Sequence, residues 1–228
     1  MSQAPSLIEG TPADVPSVDI DPLHANWEYS LTRSLLRLFT ALMFDLKVYN
    51  RHYVPQRGGV LMVSNHQSYL DPVLVGVYLR RPMSFLAKSG LFRNRYFGGW
   101  IRRLRAFPVK QGSGDVGAVK ETIRRLKEGH LLNIFPEGSR SMDGEIAPMQ
   151  SGAALVVRRA NVPVVPCVVE GTFEAWPSNR KLPRRRPVRV MYGPPLDVSG
   201  MSAKEITALV DRTLRRMFAE LRAKPRSR

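Results

Sequence analysis

Between residues 27 and 49 the apolar positions Leu31, Leu35, Leu38, Leu42 and Leu46 recur at helical spacing, and Leu36, Phe39, Met43 and Phe44 widen that face. The pattern predicts an amphipathic helix over 27–49, interrupted by Arg33, Arg37, Asp45 and Lys47. Its longest uncharged run, residues 38–44, falls far short of the roughly 20 residues that cross a bilayer, so the helix does not span. Two placements fit it: flat in a membrane interface with Trp27 and the arginines at headgroup level, or packed by its apolar face on a core.

Beyond Gly58 and Gly59, the run VLMVS predicts a buried strand over 60–64 that ends in the polar stretch NHQSYLD. Asp71 and Pro72 then open a helix to about residue 79, with the aspartate as N-cap and the proline in the first turn. MSFLAK (83–88) reads as a strand, 91–104 as a helical stretch rich in Arg and aromatics, and 106–110 as a third strand. A clear helix covers 115–128, with Val116, Val119, Ile123 and Leu126 on one face and Gly129 as its stop. Strands at 131–135, 164–169 and 188–191 follow, with helices at 151–160 and from Ser202, where Glu205 completes a capping box. Pro166 cannot donate to a ladder and is expected at a bulge or a sheet edge. Apolar strands alternating with helices imply an α/β fold, a single mostly parallel sheet flanked by helices.

Composition adds a direction. Hydrophobic residues at 43% and charged residues at 24% place the 228-residue chain among globular proteins. Residues 1–25 hold Glu9, Asp14, Asp19 and Asp21 with no Lys or Arg, and four prolines, so they are expected to be a disordered acidic tail. Removing that charge of −4 from the net +16 leaves +20 on the remainder. Such a field favours a polyanionic surface, nucleic acid or anionic lipid headgroups. The tail lacks a basic n-region and an apolar h-region, so no cleaved leader is expected. The single Cys167 excludes an intrachain disulfide and a Cys-based metal site, and suits a reducing compartment.

Chemistry-bearing residues gather where strands end, the place at which parallel α/β sheets bind ligands. Within NHQSYLD, His66 and Asp71 are five apart, which puts them on different faces of a continuous helix. Their pairing needs a loop that turns into a helix; a carboxylate on one imidazole nitrogen then leaves the other free to take a proton. A loop histidine followed by an N-capping aspartate fits the same spacing. In FPEGSRS (135–141), Gly138 lets backbone approach a ligand closely, and the amides, the hydroxyls of Ser139 and Ser141, and Arg140 can ring an anionic phosphate. A turn with an exposed salt bridge fits equally. AFPVKQ (106–111) brings Lys110 to a strand end, and VVPCVVEG (164–171) is a further strand end. Residues 176–187, WPSNRKLPRRRP, form a basic, proline-broken loop.

In order and spacing these four segments resemble the blocks of the lysophosphatidic acid acyltransferase family, within the glycerolipid acyltransferase superfamily. NHQSYLD is similar to the family's N-H-x-x-x-x-D block and FPEGSRS to its F-P-E-G-[ST]-R-S block, while Lys88 stands where a lysine is usual. The resemblance covers roughly residues 60–172 and implies an acyltransferase domain over 51–228, preceded by a membrane-association helix within 26–50. It implies that His66 acts as general base and Asp71 as its partner. Glu137, Gly138, Ser139 and Arg140 would bind the acceptor's glycerol phosphate, with Lys88 and Lys110 assisting. The reaction implied is acyl transfer from acyl-CoA or acyl carrier protein to 1-acylglycerol 3-phosphate, giving phosphatidic acid. It would run at the cytoplasmic face of an anionic membrane, with no metal and no cofactor beyond the acyl donor.

Two departures bear on the acceptor. Gln111 replaces a usual arginine, and Met149-Gln150-Ser151-Gly152 lacks the lysine common before the small-residue helix. Both remove positive charge near the phosphate site, so another lysolipid or a glycolipid is an alternative acceptor. A non-catalytic nucleic-acid-binding domain is the reading that charge alone would allow. No RRM, KH, helix-turn-helix or zinc pattern supports it, and no aromatics stud a basic surface.

Overall fold

The computed structural model describes residues 21, 23–109, 116–177 and 179–225. Residues 1–20 of the expected 1–25 tail, Lys110 and Gln111 lie outside the described residues, and the end of that tail is held in place, the Asp21 and His24 carbonyls accepting from Arg105 Nη2. In chain order the elements are α1 (Trp27–Phe44), β1 (Lys47–Tyr49), β2 (Val60–Ser64), α2 (Asp71–Val77), β3 (Met83–Lys88), α3 (Arg95–Arg103) and β4 (Ala106–Val109). They continue with α4 (Val116–Lys127), β5 (Leu131–Ile134), α5 (Ser151–Ala160), β6 (Val164–Glu170), α6 (Thr172–Ala175), β7 (Arg189–Tyr192) and α7 (Ala203–Ala223).

The strands form one seven-stranded sheet in the order β1-β7-β6-β2-β5-β3-β4, parallel throughout except between β6 and β7. β2 is central because every one of its residues is apolar enough, or satisfied enough, to be buried on both faces. Leu61 and Val63 point into a core built with Leu126, Val157, Val210 and Leu214 of α4, α5 and α7. Val60 and Met62, one residue out of phase, point into the opposite core with Phe44, Leu74 and Val75 of α1 and α2. The capping box at α7 is present, with Ser202 Oγ accepting from Glu205 N at 3.3 Å and Glu205 Oε2 accepting from Ser202 N at 2.8 Å.

Two expectations are corrected, and the bulge expected at Pro166 is present. The first helix ends at Phe44, not residue 49: Asp45 takes a left-handed conformation (φ 39°), and Lys47–Tyr49 pair with β7 as an edge strand. Val48 and Tyr49 are strand formers, and a free ladder edge outcompetes another helical turn. Pro166 sits on an interior strand, in register with Val63 of β2, and at the expected bulge: the register with β7 slips by one residue between the pairs Cys167–Tyr192 and Val164–Leu196. Gly193 N donates to Pro166 O at 2.8 Å, and the reciprocal bond is the one proline cannot make; the ladder opens there, with Val164 next opposite Leu196. Finally, 91–104 divides into a 3₁₀ turn (Ser89–Phe92) and α3, started by Asn94, whose side chain accepts from Tyr96 N and Phe97 N.

α1 also settles which way its stripe points. Tyr29, Thr40 and Phe44 face inward and are buried. Arg33 and Arg37 lie on that inner side and donate to the carbonyls of Arg80, Val77 and Leu79, closing the end of α2. The leucine stripe is turned the other way: Leu31, Leu35, Leu38 and Leu42 are exposed, Leu42 by 64%, and Trp27 at the start by 71%. The helix packs Phe44 and, partly buried, Met43 on the core, while the leucine stripe stays off it. No helix among the described residues is long and apolar enough to cross a membrane.

Candidate active site

The carboxyl ends of β2, β5 and β6 lie side by side, so the segments after them meet. Asn65, the first residue beyond β2, locks the edge: its side chain donates to Val169 O at 2.9 Å and accepts from Val169 N at 2.8 Å. His66 follows. Its main chain is held on both sides, the N–H donating to Glu137 Oε1 at 2.6 Å and the carbonyl accepting from Ser141 N at 2.7 Å. Its ring stacks on Phe135, with centroids 3.9 Å apart and planes within 17°.

Asp71 is the first residue of α2 and not its N-cap, a position taken by Leu70. The side chain reaches back instead: Oδ2 accepts from Gln67 N at 2.5 Å, Ser68 N at 2.7 Å and the His66 ring at Nδ1, 2.9 Å away. Residues 65–70 turn tightly enough to bring together two side chains that a continuous helix would separate. Pro72 in the first turn fixes where helix begins. Because a carboxylate only accepts, Nδ1 must donate and carry the proton, which leaves Nε2 as the acceptor. Asp71 is fully buried and the His66 side chain 17% exposed, so the dyad opens to solvent only through the imidazole.

No serine, threonine or cysteine among the described residues hydrogen-bonds the imidazole. Ser64 Oγ donates to Asn133 Oδ1 and Ser68 Oγ to Trp176 O. Burial pushes the Cys167 thiol well above its ordinary range. A dyad with no nucleophile of its own suits activation of a hydroxyl brought by a substrate.

Glu137 turns inward. Oε1 accepts from His66 N and Oε2 from Ala147 N at 2.9 Å, so both oxygens are engaged by backbone and the side chain positions His66. The two bonds tie the loop after β5 to the loop after β2. Burial pushes its carboxyl up to about 7; the amides of Ala147 and His66 pull down and the Asp71 charge pushes up. Between its ordinary value of 4.5 and about 7 the native state therefore holds a proton that the unfolded chain has lost. Stability from this residue falls as pH rises through that window, by about 3 kcal/mol. Glu137→Gln is expected to remove the slope. In urea titrations at pH 4.5 and 7.5, the variant's stability relative to the native protein should rise by about 3 kcal/mol. A pH-independent difference would show that the amide bonds outweigh burial.

The remaining predicted residues divide. Gly138 has φ +73°, a left-handed conformation that favours glycine, and a Cβ there would displace the Gln150 amide. Gln150 Nε2 donates to Glu137 O at 3.3 Å and closes the same loop. Ser139 is exposed and unengaged among the described residues. The Arg140 guanidinium lies 3.6 Å from the Tyr69 ring centroid, and its Nη1 is buried with no hydrogen-bond partner. Lys88 is exposed at the end of β3, on the same sheet edge but two strands from β2, and is not brought into contact with the dyad. Sequence reasoning missed Asn65, Phe135 and Tyr69. Asn65 and Tyr69 lie inside the NHQSYLD motif, and an aromatic at a strand end was the available signal for Phe135.

Residues 45–170 match the family model described as Acyltransferase. The 1-acyl-sn-glycerol-3-phosphate acyltransferase of Bacillus subtilis (strain 168) is 28% identical over 200 residues, 86% of this chain and 98% of the relative. The human 1-acyl-sn-glycerol-3-phosphate acyltransferase beta is 28% identical over 202 residues, 83% of this chain and 69% of the relative. The crystal structure of the 1-acyl-sn-glycerophosphate (LPA) acyltransferase PlsC from Thermotoga maritima superimposes with a TM-score of 0.77 at 28% identity, covering 87% of this chain and 81% of that one. The matched stretch contains His66, Asp71, Glu137 and Arg140 and exceeds half of the sequence: the chain belongs to the acyltransferase family.

Proposed function

We propose that this enzyme transfers a fatty acyl group from a thioester donor, acyl-CoA or acyl carrier protein, to the free hydroxyl of 1-acylglycerol 3-phosphate at the cytoplasmic face of a membrane. The observation that carries the reading is the His66 Nδ1–Asp71 Oδ2 bond of 2.9 Å, which leaves Nε2 free to accept a proton. Nε2 takes the acceptor's hydroxyl proton as the oxygen attacks the thioester carbonyl. The tetrahedral intermediate collapses with cleavage of the C–S bond, and the imidazolium returns the proton to the departing thiolate. Asp71 stabilises the imidazolium between the two steps.

An apolar groove of about 210 Å³ between α1, α2 and α3 supports the acyl half of the reading. It is lined by Leu36, Pro72, Val73, Phe85 and Ile101, and Pro72 and Val73 follow Asp71 directly. The outward leucine stripe of α1 and the basic character of the chain support attachment to an anionic surface.

A second acceptor class is favoured by one observation: Gln150 spends its amide on Glu137 O and brings no cation to the loop. A panel of lysolipids with one labelled donor decides between the two. Lysophosphatidic acid is expected to give the highest kcat/KM; equal turnover of an acceptor without the phosphate overturns that choice and leaves acyl transfer standing.

A further inference from the structure

Residues 176–187 leave α6 at the catalytic edge and carry Arg180, Lys181, Arg184, Arg185 and Arg186 without one acidic residue. All five cations are exposed, and among the described residues none is paired with a carboxylate. In their midst Leu182 is 76% exposed. A loop made only to be solvated has no need of a leucine there.

The segment is nevertheless well braced. Arg184 N donates to Ala175 O at 2.7 Å, Arg180 N to Pro177 O at 3.1 Å and Trp176 Nε1 to Arg180 O at 3.0 Å. Pro177, Pro183 and Pro187 restrict the backbone further. Its two ends are informative. At one, Trp176 O accepts from Ser68 Oγ at 2.7 Å and the Trp176 ring lies 5.6 Å from Tyr69, both inside the segment that carries His66 and Asp71. At the other, Val188 N donates to Phe44 O at 2.9 Å, at the end of α1. The loop thus bridges the helix with the outward leucine stripe and the catalytic turn.

We propose that this loop is a second membrane contact. Leu182 enters the apolar boundary of an anionic bilayer, the five cations bind headgroup phosphates, and the Trp176 attachment holds the mouth of the site at the lipid surface. The inference rests on the membrane reading above and adds to it a recognition element with a stated charge preference. Charge complementarity selects an anionic partner. The exposed leucine, together with continuity to α1, selects a bilayer over an acidic carrier protein. A nucleotide would need a concave pocket for its base, whereas Leu182 and its neighbours project outward.

The test uses the full chain and the variant L182S/R184Q/R185Q/R186Q, none of whose residues touches the dyad. Partitioning is measured on phosphatidylcholine vesicles with and without phosphatidylglycerol. Binding to the anionic vesicles is expected to fall roughly 100-fold, about fivefold for each arginine. Turnover of short-chain substrates dissolved as monomers is expected to stay unchanged, while turnover of vesicle-embedded acceptor falls with binding. Unchanged binding by the variant overturns the proposal. So does unchanged vesicle binding accompanied by a raised KM for monomeric acyl-CoA or acyl carrier protein, which would make the loop a donor dock. Failure of the native protein to bind either vesicle sinks the broader membrane reading instead. The separate variant L35E/L38E on α1 reports that reading independently of the loop.

Discussion

Replacing His66 with alanine is expected to lower kcat by about 10²- to 10⁴-fold, the range over which a positioned general base contributes. The fold should survive. The backbone bonds that hold residue 66, to Glu137 and from Ser141, belong to the main chain and remain after truncation. Thiol release from the donor, followed with acceptor present, measures the loss, and near-UV circular dichroism checks the fold. Asp71→Asn should cost a comparable factor by another route. Its oxygen still accepts from the amides of Gln67 and Ser68, but the imidazole loses the charge that fixes its tautomer. Asp71→Ala is different in kind, because it strands two buried N–H donors at roughly 1–3 kcal/mol each, so its lost activity would be confounded with lost stability. Turnover within threefold of normal in the His66→Ala protein would overturn the mechanism.

Arg140→Ala is expected to lower kcat/KM for a phosphorylated acceptor by about 10²- to 10³-fold, the scale of removing one partner of a desolvated charge pair. The guanidinium is stacked on Tyr69, and its buried Nη1 has no partner within the described residues, so a cation is held ready without a protein carboxylate to neutralise it. Lysine should rescue little, because it lacks the planar group that stacks and the fork that grips a phosphate. The discriminating measurement is the same variant on an acceptor lacking the phosphate, where the effect should nearly vanish. Equal losses on both acceptors would make Arg140 a structural clamp on Tyr69 and remove it from the phosphate site.

Short-range patterns were sufficient for β2, β3, α5 and the capping box of α7, because burial on both faces, strand length and end chemistry are local properties. Periodicity overran at 45–49, where a helical stripe of leucines continued in sequence although the free edge of β7 took the backbone. Periodicity was also silent on direction. It identified the stripe of α1 but not that Arg33 and Arg37 would take the inner side to cap α2 and turn the leucines outward.

The site divides along the same line. His66 and Asp71 stand in one contiguous motif, which an unpaired loop histidine before a capping aspartate would fit as well; the bond between them is seen only in the folded turn. By itself the sequence determined the α/β class, the chemical groups available and the excess of positive charge, since each depends on residue type and near neighbours alone. The tertiary structure decided the rest. Only a turn over 65–70 brings the Asp71 oxygen to 2.9 Å from the imidazole, and only the pairing of β2 with β5 sets Glu137 beneath His66 as a buried acceptor of backbone amides. The second relation joins residues 71 apart in the chain and the first depends on how one short loop turns, and the energies of both arise from burial and geometry that hydrophobic periodicity does not encode.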